Sequence, residues 1–308
     1  MRILVTGGAG FIGSNFVRHV LGAHEDDEVV TLDALTYAGS RASLDGVLED
    51  PRHDFIEGDV RDIELVADLV EDVDAVVNFA AESHVDRSIQ GSRPFVATNV
   101  EGTQTLLDAA RDADIERFLQ VSTDEVYGQI LEGRFSEGDP LDPRNPYAAT
   151  KAGADLLARS FHTTHGLEVL ITRTCNNFGP RQHPEKLVPK FILSAASGER
   201  LPVYGDGSNV REWIYVEDNC RALDLILREG NIGEIYNVGT DAEKTNLEVT
   251  EAILDGVGAS EELIEFVEDR AGHDQRYAME TDKIEELGWE PEYSFDEGLQ
   301  RTIEYYLE

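Results

Sequence analysis

The chain has 308 residues, 41% hydrophobic and 8% aromatic, which is enough for one large domain or two joined lobes around a real core. With 62 Asp+Glu against 26 Lys+Arg the formal net charge is −36, a surface that repels phosphate backbones and anionic lipid, so neither nucleic acid nor membrane is an expected partner. No apolar run approaches the roughly 20 residues that cross a bilayer, and Cys175 and Cys220 alone make neither a disulfide framework nor a metal-ligand set.

The first expected strand, Arg2–Thr6, begins at once with no leader-like segment before it, so a cytoplasmic, metal-free protein is expected. It runs into Gly7-Gly8-Ala9-Gly10-Phe11-Ile12-Gly13, a glycine turn that opens a helix. Glycines there allow a tight turn, close approach of backbone to a pyrophosphate, and close helix–strand packing, while the helix start offers N–H donors. A second strand, Glu28–Asp33, ends on a carboxylate 20 residues beyond Gly13. That spacing suits acceptance from ribose hydroxyls and repels a 2′-phosphate, so NAD is expected rather than NADP. No Gly-Lys-Ser/Thr follows the glycines, which excludes an ATPase-type phosphate loop.

Further strands are expected at Asp54–Glu57, Ala75–Phe79, Arg117–Ser122 and Glu168–Thr172, with amphipathic helices at Pro94–Arg111 and Pro146–His165 between some of them. Continuous apolar strands alternating with helices mean a parallel sheet covered on both faces. Asp59 and Val60 after the third strand are candidate adenine contacts, and Phe79, Ala80 and Ala81 after the fourth are placed to flank the cofactor. Thr123 follows the fifth strand, at the end where such sheets place their chemistry. Tyr147 and Lys151 stand four apart on a helix and therefore share a face. An ammonium beside a phenol favours the phenolate, a base suited to an alcohol proton. Beyond Thr174 the rhythm breaks into shorter segments, with helices at Val216–Arg228 and Leu247–Gly256. The expected fold is α/β, a Rossmann-type doubly wound parallel sheet over 1–174 with a smaller α+β substrate lobe over 175–308, the chain being free to cross back, and a ligand cleft between them.

Lysine occurs only at 151, 186, 190, 244 and 283, so most cations are arginine, and the acids are scattered rather than gathered in a tail. Such a surface fits adaptation to high salt, where counterions screen self-repulsion.

The glycine turn, Asp33, Asn99, Thr123 and the Tyr-x-x-x-Lys pair resemble the extended short-chain dehydrogenase/reductases. Within them the chain is similar to the dTDP-glucose 4,6-dehydratases through segments 33–39, 80–88, 122–128, 176–180, 184–189, 209–213 and 270–277, which include Ala-Ala-Glu-Ser-His-Val-Asp-Arg-Ser and Ser-Thr-Asp-Glu-Val-Tyr-Gly. Two adjacent acids discriminate within the superfamily. A 4-epimerase only moves hydride at C4, whereas a dehydratase also needs a base for the C5 proton and an acid for the departing 6-hydroxyl.

The resemblance implies that Tyr147 takes the 4-hydroxyl proton, Lys151 tunes it and holds the nicotinamide ribose, and Thr123 orients the 4-oxygen. It makes Glu125 the C5 base and Asp124 the acid. It adds Ala34, Leu35, Thr36, Asn99 and Asn177 to the cofactor contacts. For the substrate it implies His84, Asn176, Lys186, Leu187, Arg211, Asn246, Arg270 and His273, with arginines suited to bidentate phosphate contacts. Tightly held NAD, recycled in each turnover, is the implied cofactor. The resemblance also implies a homodimer paired through Pro94–Arg111 and Pro146–His165, and deoxysugar (rhamnose) synthesis as the setting. Phe178 and Asn219 depart from the family's usual Tyr and His. A UDP-sugar 4-epimerase, a UDP-glucuronate decarboxylase and a non-enzymatic dinucleotide sensor are the competing readings, the last disfavoured by the intact Tyr147–Lys151 pair.

Overall fold

The structure, a computed structural model, describes residues 1–269 and 272–308. Its strands are β1 (Arg2–Thr6), β2 (Glu28–Asp33), β3 (His53–Glu57), β4 (Ala75–Asn78), β5 (Arg117–Thr123) and β6 (Val169–Thr174), followed by β7 (Asn176–Phe178), β8 (Leu201–Tyr204), β9 (Val210–Tyr215), β10 (Ile235–Val238), β11 (Glu243–Thr245) and β12 (Ile264–Val267). The first six, with β10, form one parallel sheet in the order β10-β6-β5-β4-β1-β2-β3.

The apolar strands are continuous because both sheet faces are covered, and their residues divide by parity. Ile3, Val5, Val77 and Leu119 face one core, while Leu4, Val76 and Phe118 face the other. A short strand, Ile235–Val238, which the sequence reading passes over, returns from the second half to pair with β6. The remaining strands make a three-stranded sheet, β11-β9-β7, and a β12–β8 pair, around a third core. Phe178 is buried in that core against Trp213, Tyr215 and Phe295, so no hydroxyl is called for there. Among the described residues no helix is long and apolar enough to cross a membrane.

The helix Pro146–His165 forms over its expected span, with Asn145 as N-cap, Pro146 in its first turn and Gly166 in the left-handed conformation at its end. The expected helix Pro94–Arg111 contains a π-helical stretch at Val96–Gly102. Its Asn99 is buried, accepting from the Glu82 N–H at 2.8 Å and donating to Thr150 Oγ1 at 2.9 Å. Asp155, one turn after Lys151, is 0% exposed and bonds the 1%-exposed Arg173 of β6 at 3.1 Å, which pins the helix to the sheet. Removing one partner of such a pair strands the other in the interior. Arg173→Met should therefore lower unfolding stability by about 3–5 kcal/mol in urea denaturation; a loss below about 1 kcal/mol would show that the pair does not anchor the helix.

Candidate active site

At the carboxyl ends of the strands, where β1 and β4 diverge in connection, lies a cleft of about 430 Å³. One wall is the glycine turn. Gly7 has φ +67°, and a Cβ there would stand 2.8 Å from the Ala80 nitrogen; at Gly13 it would stand 2.4 Å from the Gly7 carbonyl oxygen. The sequence must leave both positions bare for the helix Phe11–Ala23 to start so close to the sheet. Gly10 caps that helix without a side chain, leaving its first N–H groups for a ligand. Asp33 lines the cleft, each oxygen held by one backbone N–H, Ala9 at 2.9 Å and Leu35 at 2.8 Å, with lone pairs left over. Burial raises its pKa, and those two N–H bonds oppose the rise. Asn177 Oδ1 is buried at the cleft without a partner among the described residues. A donor-rich helix start, an acceptor at the end of β2 and this orphaned oxygen fit an NAD molecule.

Every expected cofactor contact lines the cleft except Leu35 and Asn99. Leu35 offers its backbone N–H to Asp33, and Asn99 lies beneath the wall, tying Glu82 to the helix that carries Tyr147.

Thr123, Asp124, Glu125, Tyr147 and Lys151 come together at the end of β5 and also line the cleft. Lys151 is buried, its ammonium donating to the Val121 carbonyl at 2.6 Å. Burial brings its pKa down to about 8, against the pull of Asp155. Tyr147 is raised well above the ordinary tyrosine range, by burial first and then by the Glu125 and Asp124 carboxylates, with only the Thr123 hydroxyl favouring the phenolate. The lowering expected from the lysine is thus outweighed here.

The two acids differ. Asp124 is 3% exposed, its Oδ2 has no partner among the described residues, and its Oδ1 accepts from Thr123 at 3.1 Å. Burial, then the charge of Glu125, pushes its pKa up to about 8, with buried Glu212 adding to the rise and Arg211 opposing it. Glu125 is half-buried and accepts from Asn145 Nδ2 at 2.9 Å. One acid, almost fully buried, therefore keeps its proton near neutrality beside a half-buried neighbour.

Of the expected substrate residues, Asn176 and Lys186 line the cleft, and Lys186 donates to the Ser83 carbonyl at 3.0 Å. His84 stands beside it, 3.6 Å from Glu185. Arg211 is buried on β9, stacked 4.4 Å over Tyr277 and donating to the carbonyls of Val210 and Asp274. Leu187 and Asn246 begin the helices Leu187–Ala196 and Asn246–Val257, and His273 bonds Asp269 at 2.7 Å. Arg270 lies outside the described residues.

Sequence reasoning missed three groups here. Tyr277 donates to Asp274 at 2.5 Å, and its pKa is raised by burial and then by Glu125. Glu212 accepts from the Thr240 and Asp241 N–H groups. Asn145 could be read as a helix cap but not as a partner of Glu125. Cys175 lines the cleft but is buried, and burial raises its thiol well above the usual range, so it is no nucleophile.

Residues 4–302 match the family model described as GDP-mannose 4,6 dehydratase. The chain is 72% identical over 307 residues to the low-salt glycan biosynthesis protein Agl12 of Haloferax volcanii, covering 100% of this chain and 99% of that one. It is 50% identical to a dTDP-glucose 4,6-dehydratase of an Actinoplanes species, covering 99% and 98% respectively. The crystal structure of DesIV, the dTDP-glucose 4,6-dehydratase of Streptomyces venezuelae, solved with NAD and TDP bound, superposes with a TM-score of 0.98 at 56% identity, covering 100% of this chain and 97% of that one.

Between the ordinary carboxyl value near 4 and about 8, the folded chain holds on Asp124 a proton that the unfolded chain has released, so rising pH across that window lowers stability. Asp124→Asn cannot ionise. It should melt above the wild type by a margin that widens from about pH 5 and levels off above about pH 8; a margin independent of pH would mean that Asp124 is already ionised.

Proposed function

The chain belongs to the GDP-mannose 4,6 dehydratase family of extended short-chain dehydrogenase/reductases, and we propose that it is an NAD-dependent dTDP-glucose 4,6-dehydratase, a lyase that forms dTDP-4-keto-6-deoxyglucose. The observation that carries this reading is the split pair Asp124–Glu125 beside Tyr147. An epimerase has no use for two adjacent carboxyls at the end of the active-site strand, one of them buried and holding its proton, whereas an elimination needs both an acid and a base.

Gly7, Gly10 and the helix start would hold the pyrophosphate of NAD, Asp33 the adenine ribose, and Lys151 the nicotinamide ribose. The chemistry a bound NAD supplies is reversible hydride storage with no net redox change, together with a positive charge in its oxidised form. Tyr147 takes the proton of the 4-hydroxyl as C4 is oxidised, and Thr123 orients the oxygen. The phenol needs cationic charge nearby, because burial first, and then Glu125 and Asp124, hold it neutral. The 4-ketone acidifies C5–H. Glu125 takes that proton, and Asp124 gives its own to O6, which leaves as water. After C6 is reduced, Glu125 returns a proton to C5. Arg211, Lys186 and Asn176 would meet the nucleotide diphosphate and sugar from the lobe formed mainly by 175–308, and 1–174 would hold the cofactor.

The 72%-identical relative carries a glycan-biosynthesis name, which supports glycan assembly as the destination of the deoxysugar, with rhamnose one sugar such a ketone can be converted to. The excess of acids supports a protein adapted to high salt. The helix Pro146–His165 and its neighbour over 93–113 would form a two-fold dimer contact, consistent with Leu156 and Val96 lying exposed on them.

Incubation with dTDP-glucose in molar salt should yield a product lighter by one water and carrying a 4-ketosugar absorbance. An unchanged mass with an inverted C4 would reveal an epimerase instead. Glu125→Gln should still reduce bound NAD on adding substrate but form product about 10²–10⁴-fold more slowly, with no solvent deuterium entering C5; deuterium entering C5 at the wild-type rate would remove Glu125 from the role of base.

A further inference from the structure

We infer that Asn145 is a positioning residue for the elimination step: it fixes the Glu125 carboxylate by one oxygen so that the other is the one that takes the C5 proton. The inference rests on the dehydration reading above. Its basis is one side chain with two tasks. Asn145 is 8% exposed, and its Oδ1 accepts from the Ala148 N–H at 2.9 Å as N-cap of the helix that carries Tyr147 and Lys151. Its Nδ2 donates to Glu125 Oε2 at 2.9 Å. The cap decides which way the amide faces, because only its oxygen can accept from Ala148, so the donor must turn toward Glu125.

That bond ties the end of β5 to the first turn of the Tyr147 helix. Among the described residues no hydrogen bond occupies Glu125 Oε1, although the side chain lines the cleft. A carboxylate with one oxygen fixed by a buried donor and the other open has a single orientation to offer the substrate. Among the described residues the ionisable groups that interact with Glu125 include Asp124 on its own turn, Tyr147 on the helix and Tyr277 from the chain's last third, with the Arg211 guanidinium beside Asp124 and Tyr277. The neutral amide of Asn145 donates to that carboxylate without competing for the proton it takes. Pro146 strengthens the arrangement: it fixes the backbone just after Asn145 and has no N–H to draw the amide away.

Two variants separate this role from capping. Asn145→Ser and Asn145→Asp both keep a good N-cap, but Ser is one bond too short to reach Glu125, and Asp faces it with a like charge. Both should melt close to the wild type, bind NAD equally, and reduce that NAD on addition of dTDP-glucose at the wild-type rate. Deuterium wash-in at C5 and ketosugar formation should fall about 10–100-fold, the range carried by a hydrogen bond to a charged acceptor. Undiminished wash-in in the Ser variant overturns the inference while leaving the dehydratase reading intact. So does a parallel fall of C4 oxidation, elimination and melting temperature in both variants, which would mark Asn145 as a cap alone. Wild-type protein that forms no 4-ketosugar from dTDP-glucose overturns both readings.

Discussion

The reacting groups all sit on one strand end and one helix, and the structure depends on how firmly that helix is fixed to that strand. From its N-cap to Asp155, the first half of the helix Pro146–His165 makes a series of polar ties to the sheet and to neighbouring helices. Asn145 reaches Glu125, the Tyr147 N–H meets Ser88, Thr150 meets Asn99, Lys151 meets the Val121 carbonyl, and Asp155 meets Arg173. The apolar contacts between helix and sheet would tolerate some sliding; buried hydrogen bonds and a buried ion pair would not, because a slip leaves their members unpartnered in the interior. The geometry of the chemistry is thus set by elements beneath the cleft.

The same burial that fixes the helix tunes the acids and bases. Asp124, Lys151 and Tyr147 are all displaced toward their neutral forms, with burial the largest cause in each case. A site built this way holds little net charge until ligands arrive. That suits a chain whose surface is strongly negative and whose expected substrate is an anion. Among the described residues Arg211, close to Asp124, is stacked on Tyr277 and held by two carbonyls rather than by a carboxylate.

Asn219, where the family usually has histidine, is fully buried, and both of its amide atoms lack a partner among the described residues. Nothing else in the structure explains that choice. The departure at Phe178, by contrast, follows from its aromatic surroundings.

The glycine turn, Asp33 at the end of its strand, the Tyr147–Lys151 spacing and the adjacent acids were legible in the sequence, because each is local: a turn, a strand end, one helix face, one dipeptide. The span Pro146–His165 could be read for the same reason, since helical periodicity acts over a few residues. What tertiary structure alone decided is which charges meet. Ile235–Val238 joins a sheet whose neighbouring strand lies more than 60 residues earlier, Tyr277 and Glu212 approach Asp124 and Glu125 from the far half of the chain, and Asn145 meets Glu125 from 20 positions further along the chain. Desolvation and Coulomb effects depend on distance through space. The sequence could therefore name both acids, but only the fold could separate the buried one that keeps its proton from its half-buried neighbour.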